Sequence, residues 1–160
     1  MKNKIKTLEE IEKISRQLRS QGKIIVVTNG CFDLLHAGHI NSFEKAKELG
    51  DVLIILLNSD QSVKRFKGEK RPIVPQNQRA KVLAAIENVD YVIIFDEDEP
   101  LELIKKIKPH KHLKIGEIIP ERFQKEQELM RSLDGERIHF TAEDKFSTTG
   151  LIKKILEIYS

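Results

Sequence analysis

The stretch IIVVTNGCFDLLHAGH, residues 24–39, passes from an unbroken apolar run into a polar, glycine-bearing turn that ends on two histidines three residues apart. The β-rich run at 23–28 is too short for a buried helix and reads as a strand. From about Gly38 the pattern becomes helical and runs to a stop at Gly50. VLIILL (52–57) is continuous in apolar residues, as parallel strands buried on both faces are. YVIIF (91–95), the weaker HLKIG (112–116) and RIHFT (137–141) supply three more strands.

Helices fill the intervals. Thr7 and Glu10 form a capping box ahead of Leu8, Ile11, Ile14 and Leu18, which predicts an amphipathic helix over 7–20. Pro75 opens a helix carrying Val82, Leu83, Ile86 and Val89, and Pro100 opens another with Leu103, Ile104 and Ile107 on one face. Pro120 starts a helix to about Leu133, and TTGLIKKILEIY closes the chain. Strand and helix alternate five times. The expected fold is α/β: one doubly wound, Rossmann-like, five-stranded parallel sheet with helices on both faces. It forms a single domain over 1–160, with the helix of residues 1–22 packed on it.

The 160 residues are enough for a core without disulfides or metals. One cysteine, Cys31, allows no internal disulfide and fits a reducing cytoplasm. The N-terminus has no apolar h-region, and no run is long enough to span a bilayer, so neither a secretory signal nor a membrane partner is expected. A net charge of +3 is too small to imply nucleic-acid binding. The charge is concentrated, however: KRFKGEKR (64–71) holds Lys64, Arg65, Lys67, Lys70 and Arg71 against the lone Glu69. By itself such a run is a solvated loop.

Doubly wound sheets bind ligands beyond the carboxyl ends of their strands, where strand order reverses. NGCFDLLHAGH, NSDQSVKRFKGEKRP, IGE and AEDKFSTT all leave from that edge. His36 and His39, at i and i+3 around Gly38, can share one face at a helix start. There Gly38 lets a ligand approach the backbone, and free N–H groups favour an anion. Two other readings stand beside phosphate binding. Cys31, Asp33, His36 and His39 are metal-ligand types, although their spacing matches no zinc site, and both histidines could simply cap the helix. Cys31 as a nucleophile is weaker than Cys31 as packing.

The turn resembles the H-x-G-H motif of the nucleotidyltransferase superfamily, which joins an NTP to a phosphorylated acceptor and releases pyrophosphate. VTNGCFDLLHAGH, LGDVLIILLNSD, SVKRFKGEKRPIVP, QRAKVLAAIENVDYV and FSTTGLIKKI together resemble the adenylyltransferases of ADP-heptose synthesis. That resemblance implies ATP as substrate, Mg²⁺ carried on its phosphates with no protein metal site, and a sugar 1-phosphate acceptor, with D-glycero-β-D-manno-heptose 1-phosphate first among candidates. It implies that His36 and His39 stabilise charge at the α-phosphorus and that Lys67 and Arg79 reach phosphate oxygens. Asn29, Gly30, Cys31, Phe32, Gly38 and Gly116 would line the nucleotide site, and Ser147, Thr148 and Thr149 would hold the β- and γ-phosphates. Asp33, Asn58, Asp60 and Arg71 fall on the acceptor side. A homodimer is also implied, as is a stand-alone enzyme with the sugar kinase on another chain.

Plainer roles compete for several of these residues. Arg79 could pair with a carboxylate, Ser147–Thr149 could be only an N-cap cluster, and Asp60 could be a turn former. The chain also departs from the heptose pattern. Lys114-Ile115-Gly116-Glu117 stands where lysine, two glycines and aspartate are usual, and His110, Lys111 and His112 replace apolar residues. Alternation would put His110 and His112 on one face, exposed or against a partner. Glycerol-3-phosphate cytidylyltransferases are the nearest rival, but Ala142 and Glu143 stand where they carry arginine and threonine. A nucleotide-binding module without turnover is the reading from a different class.

Overall fold

The computed structural model describes residues 3–141 and 147–160. Ala142 and Glu143 therefore lie outside the described residues. Five strands, β1 (Ile25–Gly30), β2 (Val52–Asn58), β3 (Tyr91–Phe95), β4 (Lys111–Ile115) and β5 (Glu136–Phe140), form one parallel sheet in the order β3-β2-β1-β4-β5. The order reverses between β1 and β4, so the ligand crevice of such a sheet falls at their carboxyl ends.

Two apolar clusters cover the two faces. Ile25, Val27, Ile54 and Leu56 pack with Ile11 of α1 (Leu8–Ser20), Leu103, Ile104 and Ile107 of α5 (Leu101–Ile107), and Met130 of α6 (Pro120–Ser132). The alternate residues Val26, Leu53, Ile55 and Leu57 pack with Phe43 and Ala46 of α2 (Ala37–Glu48) and with Ala80 and Leu83 of α4 (Gln76–Ala85). Period-two alternation thus divides the helices between the faces. The capping box of α1 is present: Glu10 N–H donates to Thr7 Oγ1 at 3.3 Å, and Thr7 N–H to Glu10 Oε2 at 2.8 Å.

The basic segment is not wholly a loop. Asp60–Lys67 forms α3, N-capped by Ser59, whose Oγ accepts from Ser62 N–H at 3.0 Å, and closed by Gly68 at φ +90°. Val63 packs with the α2/α4 cluster while Phe66 lies under the Arg122 guanidinium of α6, 4.3 Å from the ring centre, so α3 crosses the carboxyl edge of the sheet. Lys64, Arg65 and Lys67 fall in its last turn, where cations oppose the helix dipole favourably. The last helix, α7 (Thr148–Tyr159), is tied at its start by a 3.0 Å hydrogen bond from Thr148 Oγ1 to Leu34 O. Its residues Ile155, Leu156, Ile158 and Tyr159 are exposed. No helix among the described residues is long and apolar enough to cross a membrane.

His110 and His112 are not an exposed pair. β4 is an inner strand between β1 and β5, so His112 is fully buried, with Nε2 2.8 Å from Asn29 Oδ1. His110 Nδ1 accepts from Ile25 N–H at 3.0 Å. Burial pushes both imidazoles below their ordinary range, His112 much further.

Candidate active site

A cavity of about 930 Å³ opens at the β1/β4 switch point. Asn29, Gly30, Cys31, Phe32, Asp33, His36, Gly38, His39, Asn58, Lys67, Arg71, Gly116, Ser147, Thr148 and Thr149 all border it. Arg79 and Asp60 do not.

The histidine turn is built around ring packing. Phe32 adopts φ 45°, and its ring meets His39 edge-on at 5.4 Å and Phe43 at 5.4 Å. His36 holds the N-cap position of α2, and the His36 and His39 ring centres are 3.9 Å apart. A Cβ at Gly38 would stand 3.1 Å from His36 Cε1 and Nδ1, so this glycine admits the His36 ring rather than a ligand. His39 Nδ1 accepts the His36 N–H at 3.3 Å, which assigns the ring proton to Nε2. Burial first, then the His36 and Lys114 charges, lower the His39 pKa to about 4. His39 is therefore a neutral donor near pH 7. Burial pushes the Cys31 thiol up, which disfavours a thiolate nucleophile.

Arg79 is a brace. Its side chain is fully buried, and four of its five N–H groups serve the protein. Nε donates to Val74 O at 2.8 Å, Nη1 to Cys31 O and to Asn58 O at 3.0 Å, and Nη2 to Asp60 at 2.7 Å. It joins the exits of β1 and β2 to α3 and α4 and does not reach the cavity, because its stem leaves α4 beneath them. Asp60 also accepts from Gln76 N–H at 2.8 Å and belongs to the same brace. Asp33 does similar work: its buried carboxylate accepts from Arg71 Nε at 2.6 Å and from the Ile73 and Val74 N–H groups at 2.9 Å. Although burial opposes it, those backbone donors and Arg71 hold Asp33 below the usual carboxylate range.

Most cations of the basic segment are engaged: Lys64 with Glu69 at 3.8 Å, Arg65 with Asp98 at 2.6 Å, and Arg71 with Asp33. Lys67 and Lys70 form no ion pair among the described residues, and Lys67 alone of these two borders the cavity. At the start of α7, Ser147 Oγ accepts from Gly150 N–H at 3.0 Å as an N-cap. Its remaining donor and the first free N–H groups of the helix face a cavity wall suited to anions.

Lys114, Glu126 and Arg137 are among the cavity residues that were not singled out as site residues from the sequence. Lys114, at the end of β4, makes no hydrogen bond or ion pair among the described residues. Burial first, then the Arg137 charge, push its pKa down, and Lys67 acts in the same direction. Its place at the head of the Lys114-Ile115-Gly116-Glu117 segment, where the resembling family also carries lysine, was the available signal. Glu126 of α6 and Arg137 of β5 form an ion pair with contacts of 2.5 and 2.8 Å. Burial pushes the Glu126 carboxyl up and the Arg137 guanidinium down, and their close contact opposes both shifts. No sequence spacing connects these two residues, since tertiary packing alone makes them neighbours. Ile115 packs at the edge of the α2/α4 cluster, and Gly116 takes φ +89°, a value that favours glycine. No group of three or more His, Cys, Asp or Glu side chains able to hold a metal exists among the described residues.

Residues 27–154 match the cytidylyltransferase-like family. The chain is 48% identical over 158 residues to the bifunctional protein HldE of Pelobacter propionicus, covering 99% of this chain and 32% of that protein. It is 49% identical over 158 residues to HldE of Aliarcobacter butzleri, covering 96% and 31%. The chain thus spans about a third of the length of these curated relatives. A solved lipopolysaccharide core biosynthesis protein from Thermoplasma volcanium superposes with a TM-score of 0.64 at 28% identity, over 79% of this chain and all of that one. Pantoate-beta-alanine ligase from Francisella tularensis shares the fold, with a TM-score of 0.65 at 17% identity over 98% and 79% of the two chains.

Proposed function

The chain belongs to the cytidylyltransferase-like family, and from that premise we propose that it is an adenylyltransferase joining AMP from ATP to a sugar 1-phosphate, with heptose 1-phosphate as the first candidate. One observation carries the reading: a neutral His39, the start of α7 and the uncompensated cations Lys67 and Lys114 converge on a single cavity. Phosphate-transfer chemistry asks a protein for that equipment, namely positioning and charge neutralisation.

In the proposed reaction, an acceptor phosphate oxygen attacks the α-phosphorus. The bond from that phosphorus to the bridging oxygen breaks, and pyrophosphate leaves with the electron pair. No covalent enzyme intermediate or general base is needed, because the acceptor phosphate is already an anion. His39 Nε2–H and His36 meet the charge that develops at the α-phosphate, while Ser147, Thr148, Thr149 and the α7 N–H groups hold the departing end. Lys67 and Lys114 screen the two phosphates that must come together. Arg79, Asp60 and Asp33 position the loops that carry these groups. The wall offers N–H, hydroxyl and ammonium groups, and the buried Asp33 carboxylate is already engaged, so a divalent cation would be held by the oxygens of the triphosphate it arrives on. Such an ion supplies charge neutralisation when bound.

A cytoplasmic homodimer completes the proposal, with the exposed apolar residues of α7 as the surface for a second copy. Light scattering in solution tests that. The activity is tested by pyrophosphate release from four NTPs against heptose 1-phosphate, other sugar 1-phosphates and glycerol 3-phosphate. ATP with a sugar 1-phosphate is expected to lead. Turnover confined to CTP and glycerol 3-phosphate, or none with any pair, defeats the proposal. His36→Ala and His39→Ala should each lower kcat by about 10²–10³, and a loss below threefold removes their catalytic role.

A further inference from the structure

A buried imidazole stands inside the sheet with no part in the proposed chemistry. His112 lies on β4, an inner strand, paired with Val27 of β1 and Arg137 of β5. It occupies one of the positions at which the chain departs from the heptose pattern, where an apolar residue is usual. His112 is fully buried, and its Nδ1 has no hydrogen-bond partner among the described residues. The fold therefore carries an orphaned polar atom in its core, which stability alone does not explain.

The ring's one contact is made at Nε2, 2.8 Å from Asn29 Oδ1. With the ring proton on Nε2, the ring donates to Oδ1, Nδ1 is a bare acceptor, and the Asn29 amide N–H groups are left over. With the amide turned over, the amide donates to Nε2 and the ring proton moves to Nδ1, a buried N–H with nothing to meet. Orphaned buried donors are rarer than underused acceptors, so the first arrangement holds. Burial first, then the Arg137 and Lys114 charges, keep the ring from taking up a second proton. Arg137 is itself fixed by its ion pair with Glu126 and by a 3.0 Å bond from Nη1 to His112 O. Asn29 borders the cavity near the exit of β1, and its side-chain nitrogen makes no hydrogen bond among the described residues. The cavity is thus given N–H donors of fixed direction, on a border that also holds Lys67 and Lys114.

We propose that His112 is a positioning residue: its Nε2–H holds Asn29 Oδ1, so that the Asn29 amide presents N–H donors to a phosphate oxygen in the cavity. This rests on the transferase reading above. An untethered asparagine amide turns over readily and would then offer its carbonyl to the same phosphate, an acceptor against an acceptor. The imidazole removes that alternative before the ligand arrives, so none of the binding energy goes into orienting the amide.

ATP and a sugar 1-phosphate both carry such oxygens, so the KM of each is followed separately. Wild type is compared with His112→Leu, His112→Gln, Asn29→Ala and the double variant of Asn29→Ala with His112→Leu. Leucine fills the space without an orphaned nitrogen, so thermal stability should hold or rise while kcat/KM falls about tenfold. Glutamine, whose amide nitrogen reaches about as far as Nε2, should restore kcat/KM to within about threefold of wild type. In the Asn29→Ala background His112→Leu should cost less than about twofold, and both single variants should raise the KM of the same substrate. Additive losses, no recovery with glutamine, or KM changes in different substrates overturn the proposal. A further readout needs neither turnover nor a variant: the ¹⁵N spectrum of the wild-type ring should show Nε2 protonated and Nδ1 bare from about pH 8 to about pH 5. A proton on Nδ1 overturns the assignment. If wild type releases no pyrophosphate with any pair, the transferase reading fails, and calorimetric affinities for ATP and the sugar phosphate replace kcat/KM in the same comparison. Unchanged kinetics in an active His112→Leu variant fail this inference alone.

Discussion

Replacing Arg79 by lysine separates a phosphate ligand from a brace. The guanidinium spans four acceptors on the exits of β1 and β2, on α3 and on the segment before α4. A lysine ammonium has three tetrahedral donors on a narrower head and cannot reproduce that fork. At least one buried acceptor loses its donor, and the contact with Asp60 loses its geometry. Disrupting one partner of a buried ion pair costs about 3–5 kcal/mol, and hydrogen bonds to charged groups are worth about 1.5–3 kcal/mol each. The expected loss is therefore about 3–5 kcal/mol, a large part of the roughly 5–15 kcal/mol that domains possess. With a urea slope of about 2 kcal/mol/M, the unfolding midpoint should fall by about 2 M. ATP binding by calorimetry on the fraction still folded should weaken only modestly. A stability loss below about 1 kcal/mol together with a tenfold or greater loss of ATP affinity would refute the brace and restore Arg79 as a phosphate ligand.

Other perturbations address the histidine turn, the buried lysine and pH. Gly38→Ala should leave the melting temperature nearly unchanged, because alanine suits a helix, yet lower kcat more than tenfold by displacing the His36 ring; unaltered kcat counts against the ring packing. Lys114→Met removes a desolvated ammonium, so thermal stability should hold or rise while kcat/KM falls about 10²-fold. A drop below threefold removes Lys114 from the site. The folded-state pKa values of His39, His110 and His112 are lowered, so the unfolded chain binds more protons below about pH 6.5 and stability rises with pH. Between pH 7.5 and 5.0 the His39 shift, discounted for its solvent-facing side, accounts for about 1–2 kcal/mol lost on acidification. Urea midpoints at the two pH values check this, and equal or greater stability at pH 5.0 contradicts it.

The sequence by itself determined the sheet and its ligand edge. Strand continuity, helix caps and proline starts are local signals, set by backbone hydrogen bonding and the period of burial, and IIVVTNGCFDLLHAGH carries both the strand exit and the histidine pair. α3 was missed because a run of cations masks the Ser59 cap and the Val63–Phe66 spacing. What only the tertiary structure decided is which charged groups remain available. Asp33 and Arg71 lie 38 positions apart, and Glu126 and Arg137 are brought together from different elements. Whether a cation serves a ligand or a fold depends on the acceptors within about 3 Å of it. Chain folding sets those neighbours, so residue type made Arg79 a candidate and passed over Lys114, whereas packing made the first a brace and the second an uncompensated charge in the cavity.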